Sequence, residues 1–119
     1  MANVLLVDDD PDVLAMVTMF LEIEGYQVMP AITRAQANEI IAQGGADIVV
    51  TDSMLRGGNG DDVAKHADRA GVPVIIISGE PARVKRHEIG ERPFLSKPFE
   101  PQLLLTMIQM LLRKPKPTA

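Results

Sequence analysis

Residues 4 to 17 read VLLVDDDPDVLAMV, and this stretch decides the architecture. Val4 to Val7 form an apolar run too short for a helix and suited to a buried strand. The run ends at three adjacent carboxylates, Asp8, Asp9 and Asp10, after which Pro11 opens a segment with apolar residues at helical spacing. Strand, acidic turn and helix together make one β/α unit. Neighbouring carboxylates repel and raise one another's pKa, so the cluster is either a solvated turn or a place that holds something positive. Asp10 separates from the other two. An acidic residue directly before proline reads as an N-cap with proline at the first helical position.

The same alternation continues to the C-terminus. Residues 47 to 51 (DIVVT) and 72 to 77 (VPVIII) read as buried strands, short, β-branched and bounded by Asp, Gly or Pro. Weaker strands are expected at Tyr26 to Met29 and Pro93 to Ser96. Helices are expected at about 11 to 24, 34 to 43, 60 to 70, 81 to 89 and 100 to 113. Continuous apolar strands alternating with helices imply a parallel sheet covered on both faces. The expected fold is therefore an α/β, doubly wound, flavodoxin-like (βα)5 sheet of order 2-1-3-4-5. Its functional crevice lies at the carboxyl ends of strands 1 and 3.

Bulk properties bound the function. The 119 residues, 46% hydrophobic and 24% charged, suit one domain, expected over 1 to 113 with a short tail from 114 to 119. A net charge of −4 and a pI near 5.1 argue against direct nucleic-acid binding. Without cysteine there is no disulfide, thiolate chemistry or Cys-based metal site. His66 and His87 lack ligand-like spacing and read as solvated helix residues. No apolar run approaches the roughly 18 residues of a membrane span, so a soluble, cytoplasmic protein with no membrane partner is expected. The glycines of RGGNG spell neither a P-loop nor a dinucleotide fingerprint.

The topology gathers the chemistry. Asp8 and Asp9 end strand 1, Asp52 follows strand 3, Ser78 ends strand 4 and Lys97 ends strand 5, all at the edge where open α/β sheets bind ligands. Three carboxylates in one crevice call for a hard divalent cation, and Mg²⁺ commonly takes one or two carboxylates plus a phosphate oxygen.

The pieces LLVDDDP, DIVVTDSML followed by Gly60, PVIIISG and PFLSKPF, each at its own strand end, resemble the receiver domain of two-component response regulators over the whole chain. The resemblance implies that Asp52 accepts a phosphoryl group from a histidine kinase or histidine phosphotransfer protein. It implies that Asp9 and Asp52 hold Mg²⁺ directly, Asp8 holds it through water, and the Met54 backbone carbonyl adds an oxygen. Lys97 would offset phosphoryl charge, Ser78 would donate a hydrogen bond to it, and Phe94 would rotate with Ser78 as the switch. Lys97-Pro98 matches the family's cis peptide. Such a chain is a phospho-accepting switch, assisting its own phosphorylation and dephosphorylation, rather than a turnover enzyme. Met54 and Glu80 stand at the positions that tune water access to the phosphate.

The chain also departs from the pattern. Arg56 stands where the family usually has proline, and the segment from Ser78 to Lys97 is short, leaving about two turns for the fourth helix. Gly57, Gly58 and Gly60 permit unusual dihedrals, although a plain flexible turn explains them as well.

On a helical wheel Val13, Leu14, Val17, Phe20 and Leu21 form the core stripe of the first helix, and Met16, Met19 and Ile23 form a second arc suited to docking a phosphodonor. In the last helix Leu103, Leu104, Met107, Ile108 and Leu111 are expected to face the sheet. Leu105 and Leu112 would then lie on a flank, which points to a homodimer through the helix 4, strand 5, helix 5 face. Two rival readings remain: a phosphorylation-independent interaction module that keeps the fold, and a small metal-dependent phosphohydrolase.

Overall fold

The computed structural model describes residues 2–55, 58–79 and 92–113. In chain order these form β1 (Asn3–Val7), α1 (Pro11–Ile23), β2 (Gln27–Ala31), α2 (Arg34–Ala42), β3 (Ile48–Asp52), β4 (Met54–Leu55), β5 (Gly58–Asn59), α3 (Gly60–Arg69), β6 (Val74–Ser78), β7 (Phe94–Ser96) and α4 (Pro101–Arg113). Five strands make one parallel sheet in the order β2-β1-β3-β6-β7. Counted along the sheet alone this is 2-1-3-4-5, the doubly wound order expected from the sequence. The helix expected at 81 to 89 and the tail from 114 lie outside the described residues.

Alternation along the strands builds two cores, because successive side chains leave a strand on opposite faces. Leu5, Val7 and Val49 pack with Ala37 and Ile41 of α2 and Val63, Ala64 and Ala67 of α3. Val4, Leu6, Ile48, Val50, Ile75 and Ile77 point the other way, against Val17 and Leu21 of α1 and Leu104 and Ile108 of α4. Each fully buried aliphatic side chain contributes about 1.5–3 kcal/mol relative to exposure. The sheet is thus clamped between two helical layers, and its carboxyl edge is a fixed platform.

The first unit starts as its sequence dictates. Asp10 is extended, its carboxylate accepts the Asp12 N–H at 2.9 Å, and Pro11 occupies the first turn, where no intrahelical partner for its missing N–H is needed. The helix stops at Glu24, and Gly25 takes φ +96°, a conformation that glycine alone adopts freely.

Beyond shifts of a single residue at several element ends, such as β3 running to Asp52 itself, four features differ from expectation. β2 runs on through Pro30 to Ala31, since an edge strand tolerates a residue with no N–H to give. β6 begins at Val74, because the Val72 N–H closes the end of α3 on the Ala67 carbonyl at 2.9 Å. The segment after Asp52 is no plain turn: β4 and β5 pair antiparallel, Met54 opposite Asn59 and Leu55 opposite Gly58. In α4 the expected phase is corrected. Leu105 is buried, 3% exposed, whereas Leu103 is 50% exposed. Three consecutive leucines leave the phase of a helical wheel open, and packing on the sheet selects Leu104, Leu105 and Ile108. The apolar residues left open on α4 are Leu103 and Met110, not Leu105.

Candidate functional site

The carboxyl ends of β1, β3 and β6 and the turn after β7 meet at one place. Asp8 follows Val7 directly and is completely buried. Its backbone N–H donates to the Ala31 carbonyl at 3.0 Å, which ties it to the end of β2. Its carboxylate accepts the Asp10 N–H at 2.9 Å through Oδ1 and the Lys97 ammonium at 2.7 Å through Oδ2. The turn that caps α1 therefore also aims Asp8.

Asp52 is the last residue of β3 and is buried. Its Oδ2 accepts Lys97 Nζ at 2.9 Å, and its Oδ1 accepts the Met54 N–H at 3.2 Å. The Thr51 hydroxyl, also buried, donates to the Asp52 carbonyl at 3.1 Å. Lys97 is placed by its main chain, whose N–H donates to the Ser78 carbonyl at 2.7 Å, and its peptide with Pro98 is cis. Ser78, the last residue of β6, is buried at the same edge.

Three carboxylates crowd this edge. One oxygen from each of Asp8, Asp9 and Asp52 lies within 4.8 Å of the others. At an effective dielectric of about 20, two like charges at that distance repel by about 3.5 kcal/mol. Burial raises the Asp8 pKa above its ordinary value, and the charge on Asp52 raises it further, against the hydrogen bonds from Lys97 and from Asp10. Burial also works against the Lys97 charge, but the hydrogen bonds and charges of Asp8 and Asp52 outweigh it and hold the Lys97 pKa above the ordinary lysine value. Among the described residues the Lys97 ammonium bonds two of the three carboxylates, and the ligand atoms on offer are all hard oxygens, with Asp9 half-buried. Such a set can hold a divalent cation.

The structure thus brings together Asp8, Asp9, Asp52, Ser78 and Lys97. Asp10 lies beside them with its carboxylate committed to the helix cap. Met54 contributes its backbone N–H to Asp52, while its side chain is exposed. Phe94 is half-buried and packs on the core beneath α2 and α3. Arg56, Gly57, Glu80 and His87 lie outside the described residues. His66 sits on α3 with Nδ1 2.8 Å from the Asp62 carbonyl of its own helix, away from the cluster. Nothing in the residue pattern marked the parts played by the Ala31 carbonyl or the Thr51 hydroxyl, since main-chain partners leave no residue-type signal.

Comparison with known proteins gives one family. The family model described as the response regulator receiver domain matches residues 4–109. The phosphate regulon transcriptional regulatory protein PhoB of Pseudomonas aeruginosa is 28% identical, over 97% of this chain and 53% of its own. The regulatory protein VanR of Enterococcus faecium is 30% identical, over 96% and 51% respectively. The chain spans about half the length of these curated relatives. Among solved structures, a CheY-like response regulator receiver domain from Methanospirillum hungatei superposes with a TM-score of 0.83 at 26% identity, covering 94% of each chain. The non-phosphorylated HemR receiver domain of Leptospira biflexa gives 0.83 at 26%, covering 100% of both. A doubly wound sheet whose carboxyl edge gathers three aspartates and joins two of them to one lysine, with the family match over residues 4–109, makes the chain a member of the response regulator receiver domain family.

Proposed function

We propose that the protein is a two-component receiver switched by Mg²⁺-dependent phosphorylation of Asp52. The observation that carries the reading is the Lys97 ammonium bridging Asp8 and Asp52 beside Asp9, three carboxylates gathered where the acceptor oxygen sits at a strand end. In the proposed step an Asp52 oxygen attacks the phosphorus of a phosphohistidine. The P–N bond breaks, and the imidazole leaves with the electron pair and takes its proton from solvent. Asp9, Asp52 and the Met54 carbonyl would hold Mg²⁺, with Asp8 acting through water; when bound, the ion neutralises phosphoryl charge. Lys97 stays on the phosphoryl oxygens, which asks only for positioning and charge, most of what phosphoryl transfer requires. Ser78 then donates to one of those oxygens and Phe94 follows it.

The donor would be a histidine kinase or phosphotransfer protein. α1 supports this: Pro11, Leu14, Thr18, Met19 and Ile23 line an open apolar groove of about 760 Å³ with Pro30 of β2, beside the site. Met16, Met19 and Ile23, the second arc of the wheel, are exposed. Output would run through protein contacts, with a dimer through α4 and β7 as one form. Neither turnover of free substrate, nucleic acid nor a membrane enters the proposal. The protein would act in the cytoplasm, and no described helix is long and apolar enough to cross a membrane.

The test is chemical trapping. After incubation with a small acyl-phosphate donor and Mg²⁺, borohydride reduction should convert Asp52 alone to homoserine, read by peptide mass mapping. Reduction at another residue, or at none, would refute the assignment.

A further inference from the structure

The chain has no cysteine and no tryptophan, so methionine thioethers are its main targets for mild oxidants. Four methionines are exposed among the described residues, and three of them, Met16, Met19 and Met110, lie on α1 and α4. The fourth, Met54, lies two residues from Asp52 and is 61% exposed. Its orientation is built into the small hairpin. Leu55 is buried against the core that includes Val63 and Ala64, so period-two alternation turns Met54 outward, and pairing with Asn59 holds the backbone there. The Met54 N–H bonds Asp52 Oδ1 at 3.2 Å, so the base of this side chain is fixed against the carboxylate.

We propose that Met54 is an oxidant-sensitive modification site, converted by peroxides to the sulfoxide, that shortens the life of the phosphate on Asp52. The inference rests on the proposed phosphorylation of Asp52. In the step, a sulfur lone pair attacks one peroxide oxygen, the O–O bond breaks and an S–O bond forms. The other oxygen leaves as water with the transferred proton, sulfur losing two electrons and the peroxide gaining them. An apolar, flexible thioether beside Asp52 becomes a polar group with a strong hydrogen-bond acceptor. That acceptor orders water next to the acyl phosphate, and hydrolysis consumes water. Oxidation thus clears the switch without touching the acceptor itself.

The experiment treats the full chain with hydrogen peroxide, maps sulfoxides by peptide mass spectrometry, loads phosphate from a small donor with Mg²⁺, removes the donor and follows phosphate loss. The expected result is sulfoxide at Met54 and a several-fold shorter phosphate half-life than in untreated protein. Methionine sulfoxide reductases of both stereospecificities should restore the half-life. Met54→Leu, given the same treatment and compared with its own untreated sample, should show no shortening. An unchanged half-life in protein carrying Met54 sulfoxide overturns the inference, as does equal shortening in Met54→Leu or a Met54 that stays reduced while Met16, Met19 and Met110 oxidise. Failure of the underlying reading shows itself separately, as untreated protein that takes up no phosphate, and the inference falls with it.

Discussion

Replacing Lys97 with methionine removes the ammonium but keeps an unbranched side chain of similar length. Two charge-assisted hydrogen bonds, at 2.7 and 2.9 Å, disappear, and the buried Asp8 and nearly buried Asp52 lose their shared counter-charge. Removing one partner of a buried ion pair costs about 3–5 kcal/mol. Two features lower that figure. The Lys97 side chain is 20% exposed, so water reaches the gap, and Asp8 can escape by taking a proton. From an ordinary carboxylate pKa of 3.8, protonation at pH 7 costs at most about 4 kcal/mol, at about 1.4 kcal/mol for each pH unit. We expect Lys97→Met to lose about 3 kcal/mol without Mg²⁺. The assay is urea unfolding followed by far-UV circular dichroism, since the chain has no tryptophan. Adding Mg²⁺ should stabilise the variant more than the parent, because an ion entering the parent meets a site already partly neutralised. The pH dependence has a definite sign. The Lys97 pKa is raised on folding, so its stabilisation is complete below 10.5 and is lost as pH climbs through the folded value. The variant lacks this alkaline loss. Equal stability of parent and variant in EDTA, or a smaller Mg²⁺ gain in the variant, would refute the reasoning.

Asp8 titrates with the same sign in a lower window: its raised pKa means the folded state binds more protons from pH 3.8 up to the folded value, so this group makes metal-free protein less stable as pH rises through that window. Asp8→Asn should flatten that part of the pH dependence in urea unfolding series without metal. Asp10→Ala should cost about 1 kcal/mol through loss of the N-cap, with phosphate uptake retained in the same donor assay. Leu104→Ala should cost about 2–5 kcal/mol, while Leu103→Ala should stay within about 0.5 kcal/mol, because only the first leaves a cavity. Unfolding midpoints that reversed this order would contradict the observed phase of α4.

The β1–α1 unit was legible because two independent signals agree there, a short apolar run and an N-cap followed by proline. Asp8, Asp9, Asp52, Ser78 and Lys97 could be placed together because strand ends in a parallel sheet share one edge, whatever the details of packing. Their electrostatics were not legible. Adjacency alone does not say that Asp8 is dry, Asp9 half-open and Asp10 committed to the helix. The phase of α4 escaped because Leu103, Leu104 and Leu105 are chemically equal and only the sheet tells them apart. The β4–β5 hairpin escaped because two-residue strands are too short to carry alternation, so nothing in the sequence marked Met54 as an outward residue held by pairing.

Acceptance of phosphate by Asp52, with the help of a divalent cation held by its neighbours, can be read as a change in the protein's mass. Intact-mass spectrometry after incubation with a small acyl-phosphate donor tests it most directly, with Mg²⁺, with EDTA, and on Asp52→Asn. The expected result is the mass gain of one phosphoryl group in the parent with Mg²⁺, little or none in EDTA, and none in Asp52→Asn. An equal gain with and without the ion, or the same gain in Asp52→Asn, would contradict it.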